Sequence, residues 1–259
     1  MSTTLPPREE PPPRPDVVGA GPPGGLPEAT WAWWEAVLAY VTAMVVAAVP
    51  LLLLHALFNV DLLGDSGPSY VALLVAGELA FFVTVLFWIR VIHRTPLAIL
   101  ERIRRPLRDQ AVGIPAGQLL FVASVAVSVL IDRLYRAVTG HPPPSPDQVP
   151  DAVAGMWLAW TGVGVVLLAP LGEETLFRGF LYRGLRRRLA PWPAAVVSGA
   201  LFGLGHLQGW SFLVLVPPLF VVGVGLAIVY ERRQSLLASM AAHGTFNVIG
   251  FVFLLASRR

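Results

Sequence analysis

Read for hydropathy, the chain is a succession of apolar runs of about membrane length, cut by short polar loops. Roughly 20 apolar residues cross a bilayer, and runs of that order lie at about Trp34 to Phe58, Tyr70 to Ile92 and Ala111 to Ile131. A fourth starts near Ala152 and continues into the charged stretch "APLGEETLFRGFLYRGLRRRL". Three more cover about Trp192 to Gln208, Ser211 to Tyr230 and Leu236 to Ala256. The pattern predicts an all-α polytopic transmembrane helical bundle of about seven spans. Trp31, Trp33, Trp34, Trp88, Trp157, Trp192 and Trp210 fall near the proposed ends, where interfacial anchors belong.

Ahead of the first run, residues 1–30 are rich in Pro and Gly and carry no apolar core. Such a stretch cannot bury enough surface to fold, so it reads as a disordered tail rather than a signal peptide. The expected organisation is this tail (1–30), N-terminal transmembrane helices (31–150) and a C-terminal helical region that carries the chemistry (151–259). Internal repeats, the mark of many transporters, are not visible.

Composition sharpens this picture in three ways. Only 14% of the 259 residues are charged, against about 25% in soluble domains. The absence of Cys excludes disulfides, thiolate catalysis and Cys-ligated metals. A formal charge of +3 scattered among loops argues against nucleic acid as a partner and for orientation in a bilayer. Arg94, Arg102, Arg104, Arg105 and Arg108, then Arg183 and Arg186–Arg188, then Arg232 and Arg233 crowd alternate loops. That bias places the N-terminus in the cytoplasm and the chain in the cell inner (plasma) membrane as a multi-pass protein, with lipid and a membrane-borne peptide or protein as its partners.

The charged stretch poses the chemical question. If its helix continues to the Arg186–Arg188 anchor, Glu173 lies thirteen residues deeper, roughly 20 Å at 1.5 Å per residue. His206 on the fifth run and His243 and Asn247 on the seventh fall in the same slab of membrane. Charges at such depth cost about 3 kcal/mol or more and tend to face a cavity with a purpose. Glu174 and Arg178, four apart, share a helix face and suit a desolvated ion pair. Glu173 is rotated about 100° away, over Phe177 and Phe180. An acid in apolar surroundings takes up protons more readily, as a general base for water near neutrality requires. Each residue also has a plainer account: an ion pair closing a helix end, or histidines packed between helices. Glu78, His55 and Gln118 lie outside any motif, and hydrogen bonding to a neighbouring helix is their simpler role.

Together Glu173-Glu174-x-x-x-Arg178, Phe202-x-x-x-His206 and His243-x-x-x-Asn247, in that order, resemble the CPBP family of intramembrane proteases. That family, also called ABI, includes the type II CAAX prenyl endopeptidases and bacteriocin-processing enzymes. The resemblance covers about Val165 to Phe253 and is strengthened by "FRGFLYRGL" after the acids. It implies an intramembrane endopeptidase in which Glu173 activates water and His206 holds or polarises it. His243 and Asn247 would then steady the oxyanion, with Glu174, Arg178 and Phe202 in support. It also raises a divalent metal such as zinc on Glu173, His206 and His243, although the spacing is not the H-E-x-x-H of zinc proteases. A metal and a metal-free, glutamate-activated water both remain open. The alternatives of other classes are a catalytically silent membrane immunity or protein-maturation partner, and a proton-coupled transporter.

Overall fold

The structure is a computed structural model of the chain, described over residues 28–58, 66–97, 100, 106–144, 149–207 and 209–258. Most of the expected tail lies outside the described residues, as do Arg102, Arg104, Arg105 and Gln208. Every regular element among the described residues is helical. In chain order they are α1 (Trp33–Phe58), α2 (Gly67–Phe87, continued as a π-helix over Trp88–Ile92), α3 (Pro106–Thr139) and α4 (Gly155–Arg186). Then come α5 (Pro191–Gly205), α6 (Val216–Arg233) and α7 (Leu236–Ser257). Six of these rods are long and apolar enough to cross a membrane.

The exception among the about seven spans expected is α5. α5 has 15 residues, roughly 22 Å at 1.5 Å per residue, short of a hydrocarbon core of about 30 Å. It stops where His206 takes φ −92° and ψ 5°, so His206 ends its helix instead of sitting within it.

Side-chain size is distributed as lipid surroundings dictate. α1 turns Ala36, Ala39 and Ala43 inward, while Val41, Val45, Leu52 and Leu53 face outward. In lipid, large apolar groups gain nothing by turning inward, whereas small ones let helix backbones approach and pack. The same economy places Gly199 of α5 against Gly223 of α6. A Cβ added to Gly199 would meet the Val224 backbone nitrogen at 2.7 Å. α3 lies along α7 and α6, α5 along α6, and α1 along α2.

α4 is the central rod, touching α1, α2, α5, α6 and α7. Two stretches of it, Gly164–Leu168 and Thr175–Tyr182, are π-helical. Their i→i+5 turns are wider than the α turn and are common at functional sites. The widening overturns one spacing argument. Phe177 stays on the face of Glu173, but Phe180 swings away to stack on Trp31 with ring centroids 4.7 Å apart. Trp31 in turn is fully buried and donates its indole N–H to the Phe180 carbonyl at 2.8 Å. It is a core residue, in contrast to the exposed Trp33, Trp34, Trp192 and Trp210. Arg183 is likewise no interfacial anchor: it is buried, with its guanidinium 5.6 Å from the Trp31 ring.

The helix ends that hold this arrangement are capped by charge. Glu35 at the third position of α1 accepts the Ala32 backbone N–H at 2.8 Å, half of a capping box. Its other oxygen faces His93 Nε2 at 2.6 Å and accepts the Trp88 indole N–H at 3.0 Å, tying α1 to the end of α2. At the start of α7, Ser235 accepts from the Ala238 N–H and donates to Asp109, which also holds Arg233 at 2.6 Å.

Candidate active site

The middle of α4 presents two adjacent carboxylates in unlike surroundings. Glu174 is fully buried and saturated. Its Oε1 accepts from Arg178 Nη1 at 2.8 Å and from His243 Nδ1 at 2.9 Å, and its Oε2 accepts from Ser239 Oγ. Arg178, equally buried, gives Nη2 to the Gly223 carbonyl at 2.9 Å and lies 4.6 Å over the Phe202 ring. A desolvated guanidinium and carboxylate are tolerable only when paired and hydrogen-bonded in this way. The expected ion pair is present, and it is one member of a network linking α4, α6 and α7.

Glu173, one residue earlier, faces the other way. Its Oε1 stands 3.8 Å from His206 Nε2 and its Oε2 stands 4.0 Å from His243 Nε2. Oε2 is buried and makes no hydrogen bond. The structure thus brings Glu173, His206 and His243 from three helices to one point, at separations slightly beyond direct hydrogen bonding.

The second nitrogen of each histidine sets what the first can do. His206 gives Nδ1–H to the Phe202 carbonyl at 2.8 Å, closing the end of α5. A carbonyl only accepts, so the neutral ring presents its Nε2 lone pair to Glu173. His243 gives Nδ1–H to the Glu174 carboxylate, which directs its Nε2 at Glu173 in the same way. Phe202 holds the group together, tilted 4.9 Å from the His206 ring and edge-on to those of His243 and Phe177 at 5.7 and 5.2 Å.

A cavity of about 640 Å³ opens onto this cluster. Glu173, His206, Glu78 and Tyr40 supply much of its polar wall, and it extends to Tyr70 and Pro150 at the end of the bundle where α2 and α4 begin. An apolar groove of about 240 Å³ between α1, α4 and α5 adjoins it, and Tyr40, Phe177 and Gly205 line both. His243 and Asn247 are not among the residues lining the cavity. Asn247 gives its side-chain nitrogen to the Val165 carbonyl at 2.7 Å, in the first π stretch of α4. It braces α4 from behind the acids.

Two residues that the motifs leave out stand in this wall. Glu78 is buried, its Oε2 makes no hydrogen bond, and Gly172 of α4 packs directly on it. The simple helix-to-helix hydrogen bond expected for it is not made by that oxygen. Tyr40 had no signal at all, being one aromatic residue in an apolar run. Ser239 could have been found, since it precedes His243 by the same four residues that separate His243 from Asn247. His55 and Gln118 lie on outward faces, away from the cavity.

A tetrahedral zinc ion would need its donors closer together than this geometry places them. In a tetrahedral zinc site with bonds of about 2.1 Å, neighbouring ligand atoms lie roughly 3.4 Å apart. The carboxylate-to-imidazole separations of 3.8 and 4.0 Å are wider. Among the described residues no three His, Cys, Asp or Glu side chains are grouped to hold a metal ion. As placed, the donors do not close on an ion. The 3.8 Å gap between Glu173 and His206 is wide enough for a single water at about 2.8 Å from each to bridge them.

Comparison with known proteins bears on the same part of the chain. Residues 155–249 match the family model described as type II CAAX prenyl endopeptidase, Rce1-like. An Escherichia coli protein described as an uncharacterized 24.3 kDa protein is 34% identical over 91 residues, which is 34% of this chain and 42% of that protein. The UPF0177 proteins YbdI and YajF of Lactococcus lactis subsp. lactis are 28% and 30% identical over 104 and 123 residues. Those matches cover 40% and 46% of this chain and 52% and 56% of the relatives. The chain thus spans about half the length of the curated relatives it matches. No solved structure matches it.

Proposed function

We propose that this multi-pass membrane protein is an intramembrane endopeptidase, on the match of residues 155–249 to the type II CAAX prenyl endopeptidase, Rce1-like family model. In this reading a membrane-associated peptide, prenylated or not, lies in the cavity with its scissile carbonyl beside Glu173. A water held between Glu173 Oε1 and the His206 Nε2 lone pair gives one hydrogen to each and turns its own lone pair to the carbonyl carbon. As the carbon–oxygen bond forms, Glu173 takes the proton as general base. When the tetrahedral intermediate collapses, the same proton passes to the departing amine nitrogen, so the products are a carboxylic acid and an amine.

His243 has a different task from the one the motif implies. Its Nδ1–H is committed to Glu174 and its Nε2 faces the buried Glu173 Oε2. It orients the base from behind, leaving Oε1 toward the water. Glu174, Arg178 and Ser239 fix His243 in turn, and Asn247 holds α4 in register. The chain's own groups suffice for every step, and no ion is invoked. We further place the N-terminus in the cytoplasm and the chain in the plasma membrane, on the loop charges.

One observation carries the reading: two histidine Nε2 atoms from separate helices converge on a single carboxylate that opens into a cavity. The test compares all new peptide termini in host cells carrying the wild type with those carrying Glu173→Ala at equal abundance. Termini that vanish in the variant would name a substrate. Identical sets under several growth conditions would overturn peptidase activity and leave a silent immunity or maturation partner as the better account.

A further inference from the structure

Hydrolysis through a tetrahedral intermediate needs hydrogen-bond donors aimed at the developing oxyanion, and of the motif's nitrogen-bearing side chains only His206 lines the cavity. His206 spends Nδ1–H on the Phe202 carbonyl, and its Nε2 is the acceptor that holds water. His243 spends Nδ1–H on Glu174, and Asn247 gives one of its two side-chain N–H groups to Val165. Neither of the latter two lines the cavity.

Tyr40 meets the requirement from the opposite wall. Its ring is stacked on Phe81, centroids 5.3 Å apart, which fixes the direction of the hydroxyl. Its O–H reaches the carbonyl of Gly205, the residue just before His206, at a long 3.4 Å. A bond of that length is weak and readily exchanged for a better acceptor. The hydroxyl stands at the junction of the polar cavity and the apolar groove, beside the backbone that carries His206. Tyr40, Glu173 and His206 line the same cavity, so a substrate carbonyl held there for attack shares that space with Tyr40.

We propose that Tyr40 is a catalytic residue of this site, its phenolic O–H leaving the Gly205 carbonyl to donate to the oxyanion. α1 is thereby part of the active centre, although the family region begins at residue 155. No group is transferred in this step; the hydrogen bond forms with the intermediate and is released when the intermediate collapses. The inference rests on the peptidase reading above.

The experiment uses the whole chain in proteoliposomes and a mixed-sequence library of internally quenched peptides, half of them farnesylated on a C-terminal cysteine. Wild type and Glu173→Gln are run beside Tyr40→Phe, which keeps the stack on Phe81, and beside a protein carrying 3-fluorotyrosine at position 40. For Tyr40→Phe, kcat is expected to fall about a hundredfold with KM within twofold, the usual scale for losing one oxyanion donor. The 3-fluorotyrosine protein, still a donor, is expected to keep a wild-type kcat. A hydroxyl that merely closed the end of α5 would instead lower the thermal midpoint and leave kcat alone. If wild type cleaves and Glu173→Gln does not, while Tyr40→Phe retains kcat within threefold, the role of Tyr40 is refuted and the peptidase reading stands. If folded wild type cleaves no member of the library, both fall together.

Discussion

Removing either partner of the Glu174–Arg178 pair strands the other as an uncompensated charge in a fully buried site. Breaking such a pair costs about 3–5 kcal/mol, whereas replacing both partners by apolar groups of similar volume is often neutral within a few kcal/mol. Arg178→Met is therefore expected to destabilise the protein by about 3–5 kcal/mol, since Glu174 keeps only Ser239 and His243 as donors. Glu174→Leu should cost at least as much, because Arg178 keeps only the Gly223 carbonyl and the Phe202 ring face. The double variant should lie within about 2 kcal/mol of wild type. The assay is reversible unfolding in mixed micelles by SDS titration, followed by tryptophan fluorescence, with turnover measured on the same samples. Turnover should not return with stability in the double variant, because His243 Nδ1 then has no carboxylate to direct it. Single variants as stable as wild type would refute the claim of a desolvated pair. An active double variant would refute the claim that Glu174 orients His243.

The other expectations are more local. Gly172→Ala puts a Cβ 2.5 Å from the Glu78 carbonyl oxygen; pushing α2 and α4 apart should cost about 1–3 kcal/mol and displace the neighbouring Glu173, seen as a lower thermal midpoint with lost turnover. Asn247→Ala leaves the Val165 carbonyl without its side-chain donor and should cost about 1–3 kcal/mol; unchanged stability would show that the brace is idle. Dialysis against a chelator is expected to leave peptidase activity intact, since the donors stand 3.8 and 4.0 Å apart; loss restored stoichiometrically by zinc would reverse the reading of the site.

The helices were legible because twenty-residue apolar runs have few alternatives in lipid, and the Glu174–Arg178 pairing was legible because it needs only a four-residue spacing. The azimuth of residues beyond Glu174 was not. The π stretch Thr175–Tyr182 turns through a smaller angle per residue than an α-helix, so Phe180 could not be placed by counting, and no local residue announces a π turn. Interfacial tryptophans were misjudged at Trp31 because composition marks the end of a helix without saying which side of it faces lipid. His206 was expected within the fifth span, but it sits past the end of α5, where the ring can close its own helix. Tyr40 and Glu78 escaped the motifs because they come from α1 and α2, whose contributions depend on tertiary packing alone.

The shortness of α5 gives the molecule a front and a back. Its Pro191 end shares a surface with the Arg186–Arg188 cluster, while its other end stops at His206 and leaves a well toward Pro150 and Tyr70. Solvent, and any impermeant reagent, therefore meets the Glu173 cavity from the end of the bundle where α2 and α4 begin.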